Sequence, residues 1–364
     1  MAVFSVMGGT APGKGGSVAA ERLSQLLPAT SRRALQGALR SGVPAASVAF
    51  YARWWQLETW LRTLCYLELR AAYGRQWITQ LAGSAQRRAV QDAVNAYMAS
   101  PDADSPLAYL DVADLFSLID DDTRWPMFEG ALLPRRRWQG AVDGLRQLRH
   151  RSAHCRRPHG DDLARLEQVL RDLEPGARRT LSSYYDRQWV GADLNDPVVD
   201  AWIARQHQQA DLIEHARKRY DTDFTLAYSV RPWAQQTVGA AVSGQLGLLW
   251  HARWNLRDRF LRPVDLWGDY LDAPDIRELV VHVLQDSPVA VSVTFAAVDD
   301  PVDVSDAIGT CFLSILDVSK PRAAVTERDW DRWRDGSGEL DTRVQVQTPL
   351  AKSYGYELTS VFDA

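Results

Sequence analysis

Apolar residues recur three and four positions apart through most of the first half of the chain, the spacing that lines one face of an α-helix. Leu57, Leu61, Leu64 and Leu67 mark the strongest such face. Tyr51, Trp54, Trp55, Trp60 and Tyr66 widen it, and together they predict a helix over residues 45 to about 81. A short polar helix over 31–40 precedes it, set off by Gly42-Val43-Pro44. Ser84 suits the cap of a second helix reaching residue 97, and the apolar spacing over 107–119 predicts a third, ending in Asp120-Asp121-Asp122. Pro134 suits the first turn of a helix that carries Trp138, Val142, Leu145 and Leu148 and must stop at Pro158 and Gly160. Asp161-Asp162 place acids in the first turn of the next helix, whose face is Leu163, Leu166, Val169, Leu170 and Leu173, and Pro175-Gly176 is expected to close it.

The pattern changes in the second half. After a polar helix over 178–188, Asp196-Pro197 supplies a cap and a first-turn proline for a long helix expected to run to about 220. Beyond it, β-branched and aromatic runs predict strands at 224–230, 289–295, 343–347 and 357–362, with a helix over 275–284. Residues 303–316 suit either a strand, through Val, Ile and Phe, or a helix capped near Asp303 and Ser305. The expected architecture is a mainly α N-terminal helical bundle over 45–175 followed by an α+β C-terminal domain over 223–364. A flexible or short helical segment, 1–44, precedes the bundle, and a helical linker, 176–222, joins the two parts.

Composition agrees with two globular domains: 364 residues, 46% hydrophobic and 24% charged. A formal net charge of -4 excludes a protein that coats nucleic acid non-specifically. Cys65, Cys155 and Cys311 form no disulfide framework, the first residues lack the charged start of a signal peptide, and no run approaches the roughly 18 apolar residues of a membrane helix. A cytoplasmic protein without a membrane partner is expected. Residues 8–15 match G-x-x-x-x-G-K, but Gly15 stands where a Ser or Thr would hold magnesium, so this is read as a glycine-rich start.

Charge placement matters more than charge total. Residues 146–159 hold Arg146, Arg149, Arg151, Arg156 and Arg157 with His150, His154 and His159, and no acid among them. Arg135-Arg136-Arg137 add cations upstream. Cutting a phosphodiester beside a ribose 2′-hydroxyl needs a group that moves a proton near neutral pH and a group that stabilises charge on the phosphorane. Histidine does the first and the fork-shaped guanidinium the second, without a metal or other cofactor. A metal site built from His150, His154, Cys155 and His159 is the competing reading, and the surrounding arginines oppose it. Arg149 and His154 are the expected catalytic pair.

That pair, written Arg149-His150-Arg151-Ser152-Ala153-His154, follows an amphipathic helix and faces a partner helix reading Trp55-Gln56-Leu57-Glu58-Thr59-Trp60-Leu61-Arg62. Over residues 45–175 the chain thereby resembles the HEPN superfamily, particularly its bacterial abortive-infection and toxin-like branch. The resemblance implies a metal-independent endoribonuclease acting on RNA such as tRNA or mRNA, as a toxin or antiphage effector. Two protomers would bring two motifs into one cleft, and an antitoxin or trigger ligand would act through the C-terminal domain. Arg149, His154 and His150 would be catalytic, with His150 standing where the family most often has asparagine. Glu58 would support the guanidinium by pairing with Arg149 or Arg62, and Arg146, Arg151, Arg156 and Arg157 would contact RNA phosphates. The alternative is a non-catalytic HEPN-like module for RNA binding or dimerisation, whose C-terminal domain carries the activity or binds a partner. Trp138, Val142 and Leu145 are expected at the contact between protomers. The same spacing recurs as Arg277 to His282, on an apolar stretch with Glu278 beside the arginine, and is read as structural.

On a regular helix residues five apart point roughly 140° from each other, so Arg149 and His154 converge only if the helix loosens before His154 or if two chains complete each site.

Overall fold

The computed structural model describes residues 28–81, 83–95, 106–154, 156, 159–237, 239–269, 271, 274–287, 289–327, 329, 343–346 and 360–363. The glycine-rich stretch 8–17 lies outside them, as do Cys155, Arg157, Pro158 and residues 357–359 of one expected strand.

The fold is of the α+β class. A helical first half comprises α1 (Ala29–Arg40), α2 (Ala45–Tyr73), α3 (Gly83–Val94), α4 (Val112–Asp120), α5 (Trp125–Phe128), α6 (Arg135–Ala153) and α7 (Asp162–Tyr185). The faces read from the sequence meet in one core: Leu57, Leu61 and Leu64 of α2 pack with Phe116 of α4, Trp138, Leu145 and Leu148 of α6, and Leu166 and Leu170 of α7. Trp138, Val142 and Leu145 are therefore spent inside the chain's own core, Trp138 edge-on to Phe116 at 5.8 Å, and are not the contact surface between protomers that the sequence suggested.

Two helix ends differ from expectation for identifiable reasons. The first strong helix stops at Tyr73, because Gly74 takes φ +51 and gives way to a 3-10 segment, Gly74–Gln80. A Cβ on Gly74 would stand 2.0 Å from an Asp299 carboxylate oxygen, and that oxygen accepts the Arg75 N–H at 2.8 Å. In α7, Pro175 does not end the helix. The buried face continues through Leu173, Ala177 and Tyr184, and Gly176 lies so close to the Ala131 carbonyl that a side chain would be 2.1 Å from it. Burial of that face outweighs the hydrogen bond lost at the proline.

The region expected as a helical linker holds the end of α7, a two-residue strand β1 (Gln188–Trp189), and two separate helices, α8 (Pro197–Trp202) and α9 (Asp211–Tyr220). Asp196 caps α8 as predicted, through the N–H groups of Val198 and Val199. The remaining elements are β2 (Asp223–Val230), β3 (Leu248–Asn255), β4 (Arg259–Phe260), α10 (Pro263–Asp269), α11 (Pro274–Leu279), β5 (Val280–Ser287), β6 (Ala290–Ala296), α12 (Pro301–Val318), β7 (Lys320–Pro321) and β8 (Val344–Val346). Six strands form one sheet in the order β1-β2-β3-β6-β5-β8, antiparallel except where β8 runs parallel to β5. The helix expected over 275–284 ends at Leu279, and its second half is strand β5. Residues 303–316 resolve as helix, capped by Asp300. Val361–Asp363 form a 3-10 turn instead of strand, with Phe362 buried edge-on against Trp60.

One sheet face packs Trp250, Trp254, Val293 and Phe295 against Phe312 of α12 and Trp202 of α8. The other face meets the helical half. There Leu249, Val281 and Ala296 pack on Leu67, Ala71 and Tyr184, and Arg70 donates to the carbonyls of Glu278 and Leu279 at 2.6 and 2.9 Å. Beside that contact runs a chain of side chains out of water. Ser229 is joined to His251 (2.7 Å), His251 to Thr294 (3.0 Å), Thr294 to Tyr184 (2.8 Å) and Tyr184 to His282 (3.2 Å). His282, the histidine of the second Arg-to-His spacing, is thus a buried strand residue, and Arg277 stacks on Trp267 at 5.6 Å.

Candidate ribonuclease site

Helix α6 carries the basic stretch to its C-terminal end. Its buried face, Trp138, Val142, Leu145 and Leu148, sets which way every later side chain points. The helix is regular through Ala153, and His154 follows as its C-cap at φ -98, ψ 18. His154 itself has left helical geometry, but the helix that leads to it is regular, so five residues along it turn His154 roughly 140° from Arg149. The structure therefore does not bring Arg149 and His154 onto one phosphate within a single chain. It does bring His150 and His154 together: both are exposed, with ring centroids 4.6 Å apart and the rings steeply inclined. Arg149 is half-buried, and no hydrogen bond or ion pair joins its guanidinium to any described residue.

The other cations divide sharply. Arg151 makes a two-pronged pair with Asp162 at the start of α7, through Nε at 2.8 Å and a second, shorter contact from Nη2. Asp162 is 4% exposed and also accepts the His159 N–H at 2.9 Å. Burial raises its carboxyl, but the Arg151 hydrogen bonds, the His159 N–H and the nearby positive charge outweigh burial and hold it below the usual carboxylate range. Arg151 thus closes the corner between α6 and α7, and its charge is engaged by Asp162. The adjacent Asp161-Asp162 pair signalled a helix start; its second member turned out to be an ion-pair partner.

Arg146 lies 3.4 Å from Asp143, with its guanidinium 5.9 Å from the Phe116 ring, and stays exposed. Upstream, Arg135 is held by Asp120 and Asp122 and Arg137 by Asp172, so most of the expected extra positive charge is neutralised. Arg156 is exposed, and its backbone N–H donates to the Arg151 carbonyl at 3.0 Å. Arg157 lies outside the described residues.

Glu58 accepts from Trp54 Nε1 at 2.7 Å and from Arg62 at 2.5 Å, and Arg62 in turn donates to the carbonyls of Leu107 and Leu110. Of the two partners expected for Glu58, Arg62 is present and Arg149 is not. Its work is to tie α2 to the segment before α4.

Next to the basic helix end a cavity of 760 Å³ opens between α6 and the turn joining α1 to α2. Val48, Phe50, Tyr51, Leu148, Arg151 and Arg156 are among the residues that line it. Tyr51 is 65% exposed and Trp55, one turn on, 59%. Sequence periodicity counted both aromatics as core. They lie at the edge of the apolar stripe, where composition alone does not separate covered from open positions.

Among the described residues no group of three or more His, Cys, Asp or Glu side chains is placed to hold a metal ion, and no helix is long and apolar enough to cross a membrane. Comparison with protein-family models, curated proteins and solved structures found no match to this chain.

Proposed function

We propose that the chain is a metal-independent endoribonuclease of the HEPN kind, acting in the cytoplasm as a toxin or antiphage effector and governed through its sheet-bearing half. The observation that carries this reading is the end of α6, where a half-buried guanidinium without a described partner, Arg149, shares the last turns of the helix with two exposed imidazoles, His150 and His154, packed edge to face. A half-buried guanidinium that no described group engages is open to an anion, and its fork matches phosphate geometry. In the proposed reaction His154 takes the ribose 2′ proton or protonates the departing 5′ oxygen, and Arg149 stabilises the phosphorane. His150 packs edge-on against His154 and holds its ring direction. Because Arg149 and His154 of one chain diverge, the reading requires a homodimer in which each cleft takes Arg149 from one protomer and His154 from the other.

The test is cleavage of single-stranded RNA in EDTA by the wild type and by His154→Ala and Arg149→Ala. Loss of at least 100-fold in each variant, in line with removal of a general acid/base or an electrostatic stabiliser, is the expected result, ~10²–10⁴ in rate. Cleavage that persists in both sinks the assignment. The divergence of the pair also favours a second reading, a non-catalytic module that binds RNA or a second copy, and a wild type that binds RNA in low salt without cutting it supports that one.

A further inference from the structure

Both faces of the sheet's centre are buried, but not alike. Toward α12 the strands bury carbon: Phe224 and Leu226 of β2, Trp250 and Trp254 of β3, Val291 and Val293 of β6. Side chains alternate between the faces of a strand, so the residues between these point to the helical half, and many of them are polar. Thr225, Arg253 and Ser292 stand opposite one another on β2, β3 and β6, one row across that face with no carboxylate in it. Helix α7 passes over the face without reaching this row. Thr180 lies at Arg231, beyond one end of β2, Tyr184 lies at His251 and Thr294, two residues short of Arg253 and Ser292, and the helix ends at Tyr185.

Arg187, two residues past the helix end, turns over the row instead. Its Nη1 donates to Ser292 Oγ at 3.0 Å, while Nε and Nη2 are out of water with no acceptor among the described residues. Thr225 Oγ1 is likewise out of water and unpartnered among them. Nε and Nη2 form the edge of a guanidinium that grips two oxygens of one anion, and such an edge withdrawn from water without one is costly. A carboxylate would satisfy that edge alone; a phosphate group brings a third oxygen for the Thr225 hydroxyl. Arg253 adds positive charge to the row, and Arg187, Thr225 and Arg253 are each partly exposed, which leaves a way in from solvent. We infer that this row is a phosphate site: the phosphate group of a small molecule lies on the edge of Arg187 formed by Nε and Nη2 and takes a further hydrogen bond from Thr225. Because Arg187 joins α7 to β1, the bound group ties the end of the helical half to the sheet. The site is separate from the end of α6 and does not rest on the endoribonuclease reading.

The experiment titrates the full-length protein, by calorimetry at constant ionic strength, with inorganic phosphate, glycerol 3-phosphate and acetate, and follows thermal melts in the same three anions. Saturable binding of a phosphate probe, at least tenfold tighter than acetate and accompanied by a rise in melting temperature, is expected. Arg187→Gln should weaken it at least tenfold and Thr225→Val at least threefold. Arg187→Lys, which keeps the charge without the fork, should weaken it as well, and with Thr225→Val it carries the test if Arg187→Gln does not fold. Tighter binding of glycerol 3-phosphate than of the inorganic ion identifies an organic phosphate as the source, and the reverse identifies the free ion. No saturable binding of either, binding that survives the substitutions, or acetate as the tighter ligand overturns the inference. Binding lost with Arg149→Ala and kept with Arg187→Gln overturns it too, and places the anion at the end of α6.

Discussion

Glu68, near the C-terminal end of α2, and Arg231, just past the end of β2, form a two-pronged ion pair in which both side chains are out of water, at 3.0 and 2.6 Å. Trp233 donates a third hydrogen bond to the same carboxylate at 2.7 Å, and Arg231 reaches the Thr180 carbonyl of α7 at 3.3 Å. The pair fastens the helical half to the sheet. Replacing one partner leaves a buried charge uncompensated, which costs about 3–5 kcal/mol. Glu68→Ala is therefore expected to lower the unfolding free energy by that amount in urea denaturation, with both halves still unfolding in one transition. A loss under 1 kcal/mol would show that water reaches Arg231.

The buried chain through His251 makes a pH prediction. Burial, then the charges of Arg187, His282 and Arg231, push the His251 imidazole well below its ordinary value of 6.5. The folded protein keeps this ring neutral at pH values where the unfolded chain protonates it, so the unfolded state binds more protons and stability falls as pH falls. The loss begins near pH 6.5 and proceeds at up to ~1.4 kcal/mol per pH unit. A His251→Gln variant should lose less stability than the wild type between pH 6.5 and 5, measured as the difference in unfolding free energy. Parallel pH profiles for the two proteins would remove His251 from the account.

The contrast between the two halves explains what could be read from residues alone. In the helical half one face of each helix is buried and the other wet, so the spacing of Leu57, Leu61 and Leu64 or of Trp138, Val142 and Leu145 states both the element and its inward side. In the other half β3, β5 and β6 are covered on both faces, and alternation disappears. That is why β3 gave no strand signal and why Val280 to Leu284 looked like the continuation of α11. Helix ends escaped the sequence for a different reason: Pro175 is overridden by the buried face around it, while Gly74 ends its helix where Asp299, distant in sequence, packs against it. At the candidate site the residue types were legible and their partners were not. Nothing local to Arg151 indicates that Asp162 engages it, or that Arg149 is left without a partner.

Those two neighbours should respond oppositely to substitution. Arg149→Ala removes a guanidinium that holds no described group, so stability should change by less than ~1 kcal/mol while RNA cleavage falls. Arg151→Ala leaves the Asp162 carboxylate buried with the His159 N–H as its remaining described donor, at a cost of about 2–3 kcal/mol. Thermal melts and cleavage rates on the two proteins separate the roles. If Arg149→Ala proves the more destabilising, Arg149 is a structural residue and the proposed site loses its electrostatic member.

The divergence of Arg149 and His154 along α6 yields a test that needs no structure of a complex. If each cleft takes Arg149 from one protomer and His154 from the other, a mixed dimer of the two inactive variants contains one intact pair: Arg149 from the His154→Ala chain and His154 from the Arg149→Ala chain. Half of the dimers in an equimolar, fully exchanged mixture are mixed, and one of their two clefts is complete, so activity should return to about one quarter of the wild-type value from two inactive stocks. Were both groups of each site drawn from one chain, no combination would contain an intact pair and the mixture would stay inactive. Sedimentation of the same samples shows whether dimers form at all, and a monomeric wild type that cuts RNA would rule out the shared cleft.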